Sequence, residues 1–229
     1  MSTIASNLQV VRARIAAAAL AAGRAPGDIT LVAVSKTFTA VEVRAAYAAG
    51  QSEFGENYLQ EALEKMSALP DLPLVWHFIG PLQSNKTRAI AEHFDWVHSI
   101  ARASIAQRLA EARPARRVPL DVCLQVNLRA EPSKSGVAPE ALRPLAEAVR
   151  ALPRLRLRGL MAIPEPSSDL ALQRRRFASL RLLLEQLNDI GFGLDTLSMG
   201  MSQDLEAAVM EGATIVRVGT AIFGERDRA

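Results

Sequence analysis

Eight short apolar runs, each but the last followed by a stretch with helical spacing, most limit what this chain can become. The runs lie at 29–35, 53–54, 74–78, 96–99, 120–126, 157–163, 194–197 and 214–218. Helical spacing occupies 40–49, 57–66, 85–93, 103–112, 139–151, 170–190 and 203–211. Strands separated by crossovers long enough to hold a helix pair in parallel and are covered by those helices. Eight is the number that closes a TIM barrel, a fold that usually takes about 250 residues. An open doubly wound sheet is the competing arrangement, but no G-x-G-x-x-G follows the first run. Ahead of that run, Ile4, Leu8, Val11 and Ile15 keep a three-to-four spacing and Gly23 offers a stop, which predicts a leading helix. The expected fold class is α/β: a single TIM-type (β/α)8 barrel over residues 1–229 with an extra N-terminal helix.

Composition removes several functions. Hydrophobic residues make up 49% of the 229, enough for a full core, and no low-complexity tract separates two halves, so one domain is expected. The net charge of +3 would permit nucleic-acid binding, yet the arginines are dispersed and aromatics are only 5%, so no basic patch interleaved with aromatics forms. The arginine run at 174–176 reads as a solvated helix face. Cys123 is the single cysteine and sits in an apolar run, as expected of a core residue in a reducing cytosol. No stretch approaches the roughly 18 apolar residues of a membrane span, and the first residues lack a signal-peptide pattern. A cytoplasmic protein is expected. His77, His93 and His98 show no metal-ligating spacing, so no metal is expected.

The chemistry of a barrel gathers where its strands end. The first run, Leu31-Val32-Ala33-Val34-Ser35-Lys36, delivers an amine there, and lysine is scarce: Lys36, Lys65, Lys86 and Lys134 are the only four among 27 basic residues. A desolvated lysine loses preference for its charged form and can attack an aldehyde to give a Schiff base. The competing reading is a lysine that leaves the core and snorkels into water. The seventh and eighth runs end in Ser198-Met199-Gly200-Met201-Ser202 and Arg217-Val218-Gly219-Thr220. Small residues there expose backbone N–H groups to an anion, so Ser198, Gly200, Gly219 and Thr220 would form a phosphate cup. A plain turn with an N-cap, Asp204 complementing the helix dipole, competes with that reading. An aldehyde-reactive lysine facing a phosphate cup describes a pocket for pyridoxal 5'-phosphate (PLP). Arg217 is then the candidate for the pyridine nitrogen, against the alternative of a surface ion pair.

Seven segments extend this reading. Val34-Ser35-Lys36, Phe54-Gly55-Glu56-Asn57-Tyr58, the run at 76–86, Ser133-Lys134-Ser135-Gly136, the run at 159–164, the run at 197–204 and the run at 217–224 together resemble the pyridoxal phosphate homeostasis protein family. Its barrel is similar to the N-terminal domain of alanine racemase, the type III PLP fold. The resemblance spans nearly the whole chain; the segment 128–132 departs from it mildly. It implies that Lys36 holds PLP as a Schiff base, that Ser198, Gly219 and Thr220 contact its phosphate, and that Arg217 meets its ring nitrogen. Asn57, Met161 and Met201 would lie around the ring. Lys134 could be a second amine that helps pass the aldehyde on, or a solvated loop lysine; His77 could line the pocket or be a satisfied strand-end histidine.

Three functions fit these residues. The first is a cytosolic carrier and buffer that holds PLP and supplies it to PLP-dependent apo-enzymes as a monomer, with effects on amino-acid and keto-acid balance and no turnover of its own. The second is an amino-acid racemase. That reaction needs a base on each face of the bound substrate. The chain stops about ten residues after the eighth run, Tyr47 and Tyr58 fall in expected helices, and no closing domain is expected to supply the second base or exclude water. The third is a Schiff-base aldolase on phosphosugars, for which Glu56 is the one acid-base candidate.

Overall fold

A computed structural model describes residues 3–128 and 135–225. Eight parallel strands close into a barrel in the order β1 to β8: β1 (Thr30–Val34), β2 (Glu53–Glu56), β3 (Val75–Phe78), β4 (Trp96–Ile100), β5 (Leu120–Gln125), β6 (Leu155–Met161), β7 (Thr196–Ser198) and β8 (Ile215–Val218). The helices between them are α2 (Ala40–Ala48), α3 (Leu59–Ala68), α4 (Thr87–His93), α5 (Ala103–Ala112), α6 (Pro139–Arg150), α7 (Leu170–Asp189) and α8 (Leu205–Met210). The expected leading helix is α1 (Ile4–Ala21), capped by Thr3 and Ser6 in a reciprocal capping box, and its Leu8, Val11 and Ile15 are buried. The seventh expected helix is shorter than its spacing suggested, because Gln203 and Asp204 form the turn before α8. A further short helix, α9 (Thr220–Phe223), follows β8 without having been expected.

Closure joins the first strand to the last, with Val32 opposite Arg217 and Ala33 opposite Val218. Side chains alternate across each strand, so Leu31, Ala33 and Ser35 pack under the helices while Val32 and Val34 face the barrel interior. Gly55 sits among those interior groups: a Cβ there would lie 2.9 Å from Val32 and 3.2 Å from Ile79. Even the two-residue run at 53–54 is a true strand, because Phe54 is buried under the helices and Glu53 is drawn inward by His77. Helix α1 packs on α8 and α9, where Asn7 Nδ2 donates to the carbonyl of Ile222 at 2.8 Å. Arg14 makes a bidentate pair with Glu206 and also donates to the carbonyl of Ser202 at 3.0 Å.

Two expectations change in detail, and a third is not reached. Arg176 does not lie on a solvated face: its side chain folds back to donate to the carbonyl of Glu165, because the loop after β6 crosses the start of α7. Tyr58 caps α3 from an extended conformation rather than lying within the helix, and it is exposed. Lys134 and most of the loop around it lie outside the described residues. Among the described residues, no helix is long and apolar enough to cross a membrane, and no group of three His, Cys, Asp or Glu side chains could hold a metal.

Of the glycines, Gly159 has the least room for a side chain, where β6 meets β7. A Cβ on Gly159 would fall 1.8 Å from the carbonyl oxygen of Thr196. Gly159→Ala should therefore destabilise the protein by about 3 kcal/mol through overpacking in urea unfolding followed by circular dichroism. Gly27→Ala, with nothing within 4 Å of its Cβ, should stay within about 0.5 kcal/mol of the parent.

Candidate functional site

A cleft of about 470 Å³ opens at the carboxyl end of the barrel, within the size range of small-molecule pockets. Lys36, Asn57, Met201, Arg217, Gly219 and Thr220 line it. Six of the nine residues expected from sequence are thus brought together. The other three lie in the wall. Met161 is fully buried at the end of β6, and Gly200 is a buried turn residue at φ +95, where a Cβ would meet that of Ala208 at 2.6 Å. Ser198 is wholly buried beneath the cleft, with its hydroxyl held by Arg217 at 2.6 Å and His98 at 2.7 Å.

Ser202 takes the rim position that sequence reasoning gave to Ser198. The turn at Gly200 lifts the chain from the barrel interior to its mouth, and Ser202 Oγ accepts from the N–H of Ala221 at 3.4 Å. The signal was present in the alternation, since Ser198, ending a strand with an inward side chain, cannot also reach the rim. Phe38, stacked on Phe223 at 4.9 Å between ring centroids, closes one edge of the cleft and had not been singled out.

Lys36 is half-buried, and the backbone on both sides of it is gripped by α3. Lys65 Nζ, itself buried, donates to the carbonyl of Ser35 at 2.6 Å and to Glu56 Oε1 at 2.7 Å. Ser35 Oγ donates to the same carboxylate oxygen at 2.6 Å. On the other side Thr37 adopts φ +70, a left-handed conformation that costs a β-branched residue about 1–3 kcal/mol. Its N–H donates to Glu61 Oε2 at 2.9 Å, which holds the strained turn in place. Glu56 therefore packs between β2 and α3, behind the barrel wall, and does not line the cleft. That placement removes the acid-base candidate on which an aldolase reading depended.

Arg217 is 4% exposed and its partners are neutral: Ser198 Oγ at 2.6 Å and the carbonyl of Ala162 at 3.0 Å. Burial pulls its pKa down to about 10, which leaves it a cation at neutral pH. Asp204 opposes that trend across the cleft lining; its own carboxyl is raised by burial and accepts from the N–H of Met201 at 2.6 Å. His77 does not line the cleft and is satisfied between Glu53 and His98. Cys123 is fully buried and its thiol is pushed up by desolvation, so it is core.

Two features fit the pocket to a small planar ring carrying a phosphate. Asn57 Oδ1 is buried with no hydrogen-bond partner among the described residues, an orphan that a ligand donor would satisfy. Gly219, Thr220, Ala221 and Ser202 line one corner of small residues, and Gly219 lets β8 close on β1, where a Cβ would stand 3.1 Å from the carbonyl of Val34. Lys36 stands at the end of the same strand as Val34, one residue past Ser35. An amine, a bare backbone corner and a buried guanidinium thus share one cleft.

Comparison with known proteins finds relatives along nearly the whole chain. The family described as alanine racemase, N-terminal domain, matches residues 2–227. The pyridoxal phosphate homeostasis protein of Pseudomonas aeruginosa is 66% identical over 227 residues, covering 99% of this chain and 97% of that protein. The protein of the same name from Escherichia coli K12 is 52% identical over 230 residues, covering 99% and 98%. The structure of PipY from Synechococcus elongatus with PLP bound superposes with a TM-score of 0.85 at 40% identity, covering 97% of this chain and all of that one.

The Glu56–Lys65 pair yields a prediction with a sign. Burial raises the Glu56 pKa, and Lys65 offsets part of that rise. A carboxyl whose folded pKa is raised loses stability as pH climbs through that value. Lys65→Met leaves Glu56 buried without its cation, so it should cost about 3–5 kcal/mol at neutral pH. The cost should shrink as pH falls from neutrality toward the ordinary carboxylate range and Glu56 takes up a proton. Urea unfolding across that window reads the effect, and an equal loss at both ends would refute it.

Proposed function

The chain belongs to the pyridoxal phosphate homeostasis protein family, and on that premise we propose that it binds PLP in the cleft and holds it as a reversible store. The observation that carries the reading is the convergence of Lys36, Arg217 and the Ser202–Gly219–Thr220 corner on one pocket of suitable size. PLP supplies an aldehyde that condenses reversibly with a primary amine, releasing water. Lys36 presents that amine, and the α3 clamp holds its backbone. Arg217, with N–H groups left over from Ser198 and Ala162, would meet the ring nitrogen, and Asn57 and Met201 would lie beside the ring. Ser202, Gly219 and Thr220 would hold the phosphate, and Ser198, Gly200 and Met161 support that rim from within the wall.

The same reading takes residues 1–229 as one domain working as a monomer in the cytoplasm, carrying PLP to apo-enzymes and so affecting amino-acid and keto-acid balance. Storage needs only binding and release. Racemisation needs a proton donor and acceptor on opposite faces of the substrate. Among the described residues lining the cleft, the ionisable side chains are Lys36, Asp204 and Arg217. Asp204 is tied to the N–H of Met201, and Arg217 stays protonated, which favours a store over a catalyst.

Purified protein given PLP should show an amine-dependent absorbance near the visible edge and retain the label after borohydride reduction. Lys36→Ala should lose both. Equal labelling of the variant overturns the reading. Incubating the loaded protein with single amino-acid enantiomers in deuterated water should give no multiple-turnover exchange of the α-proton; sustained exchange would establish a racemase instead.

A further inference from the structure

An unbroken file of side chains crosses the barrel interior from its floor to the cleft. Glu53, at the start of β2, is partly exposed at the opposite end from Lys36. Its Oε2 lies 2.6 Å from His77 Nε2, His77 Nδ1 lies 2.9 Å from His98 Nε2, and His98 Nδ1 lies 2.7 Å from Ser198 Oγ. The fourth bond is the 2.6 Å contact from Arg217. Both histidines and Ser198 are buried.

The chemistry of the two ends sets the direction of the file. A guanidinium only donates, so Ser198 Oγ accepts from Arg217 and its own proton goes to His98 Nδ1. His98 must then carry its proton on Nε2 and donate to His77, which in turn donates from Nε2 to the Glu53 carboxylate. Each donor is used once. With Glu53 a carboxylate that only accepts, the opposite polarity would leave the Ser198 proton without an acceptor in the file and make His77 a second cation in the interior that holds Arg217. Burial, with His77 and Arg217 nearby, drives His98 toward its neutral form. The buried cation, whose direct partners are neutral, is thereby linked to a carboxylate at the far end of the barrel.

We propose that Glu53, His77 and His98 are positioning residues that orient Arg217 as a donor to the bound PLP ring, coupling the barrel floor to the electronic state of the ligand. The proposal rests on the placement of the PLP ring at Arg217 given above. Coupling is reciprocal: if the file acts on the ring, loading the cleft must be felt along the file.

The test uses the full chain. In PLP-free protein, nitrogen-15 spectra should show both imidazoles neutral with protons on Nε2, and adding PLP should move both signals although neither ring lines the cleft. Glu53→Gln keeps an acceptor oxygen while removing the charge, and it sits where a fold defect is least expected; His98→Gln cuts the file at its centre. In each loaded variant the ratio of the two PLP absorbance bands should change by about twofold or more, the low end of the net effect of one hydrogen bond. Unchanged band ratios or unmoved imidazole signals in protein that takes up PLP overturn the proposal. A lowered melting temperature with wild-type spectra also overturns it, by assigning the file to barrel stability alone. If His98→Gln fails to fold, Glu53→Gln decides. Failure of the wild type to take up PLP sinks the preceding reading and this one with it.

Discussion

Pairing of β1 with β8 is the contact on which the rest of this molecule depends. It places Val32 opposite Arg217 and brings Gly219 against the carbonyl of Val34. Residues from the two ends of the chain thereby form one rim. Neither strand could build the cleft alone: β1 supplies the route to Lys36, and β8 supplies the guanidinium and the bare corner beside it. Long-range parallel pairing is slow to form because loop closure precedes any gain from contact. Its return here is functional as well as structural, since the closing seam is also one wall of the pocket.

Closure creates a second problem, which is how to fill a cylinder that contains an arginine. Isolated burial of a guanidinium would be prohibitive, and a directly bonded carboxylate would compete with any ligand for its donors. The barrel instead gives Arg217 two neutral acceptors and passes the influence of the nearest file carboxylate, Glu53, through Ser198, His98 and His77. The floor beneath is charged as well. Asp121 pairs with Arg156 and Arg158, Arg158 also pairs with Asp195, and the Arg158 guanidinium lies over the Trp96 ring. A polar interior of this kind is stable only when every member is satisfied.

Much of the architecture was legible because periodicity reports burial directly. Alternating short runs and helical stretches mark each strand and crossover, and a scarce lysine after a doubly buried strand marks the mouth. Boundaries and rim positions were less legible because they depend on which side of a strand a residue faces. Ser198 and Ser202 sit in the same string, and only the turn at Gly200 decides that the first is wall and the second is rim. Met161 shows the same limit: its string resembled a ligand contact, but its side chain is enclosed by the wall. The file through His77 and His98 was illegible because its members come from β2, β3, β4, β7 and β8, and no local spacing links them.

The elements outside the barrel are best understood as the means of fixing two rim segments, one of them strained at Thr37. An amine that must meet an aldehyde gains from a fixed backbone, yet the residue after Lys36 occupies a conformation that it would not hold unaided. Helix α3 supplies the restraint from one side through Lys65 and Glu61, both reaching backbone groups that flank the lysine. Helix α1 does the corresponding work across the mouth, where Arg14 holds the Ser202 carbonyl and Asn7 holds that of Ile222. Surface ion pairs contribute little on their own, but Arg14 is bidentate on Glu206 and bonded to the rim at once, so its geometry is fixed by three acceptor atoms. The extra N-terminal helix therefore belongs to the site as much as to the fold: without it, the corner that faces Lys36 would lose the anchor that sets its distance from the barrel wall.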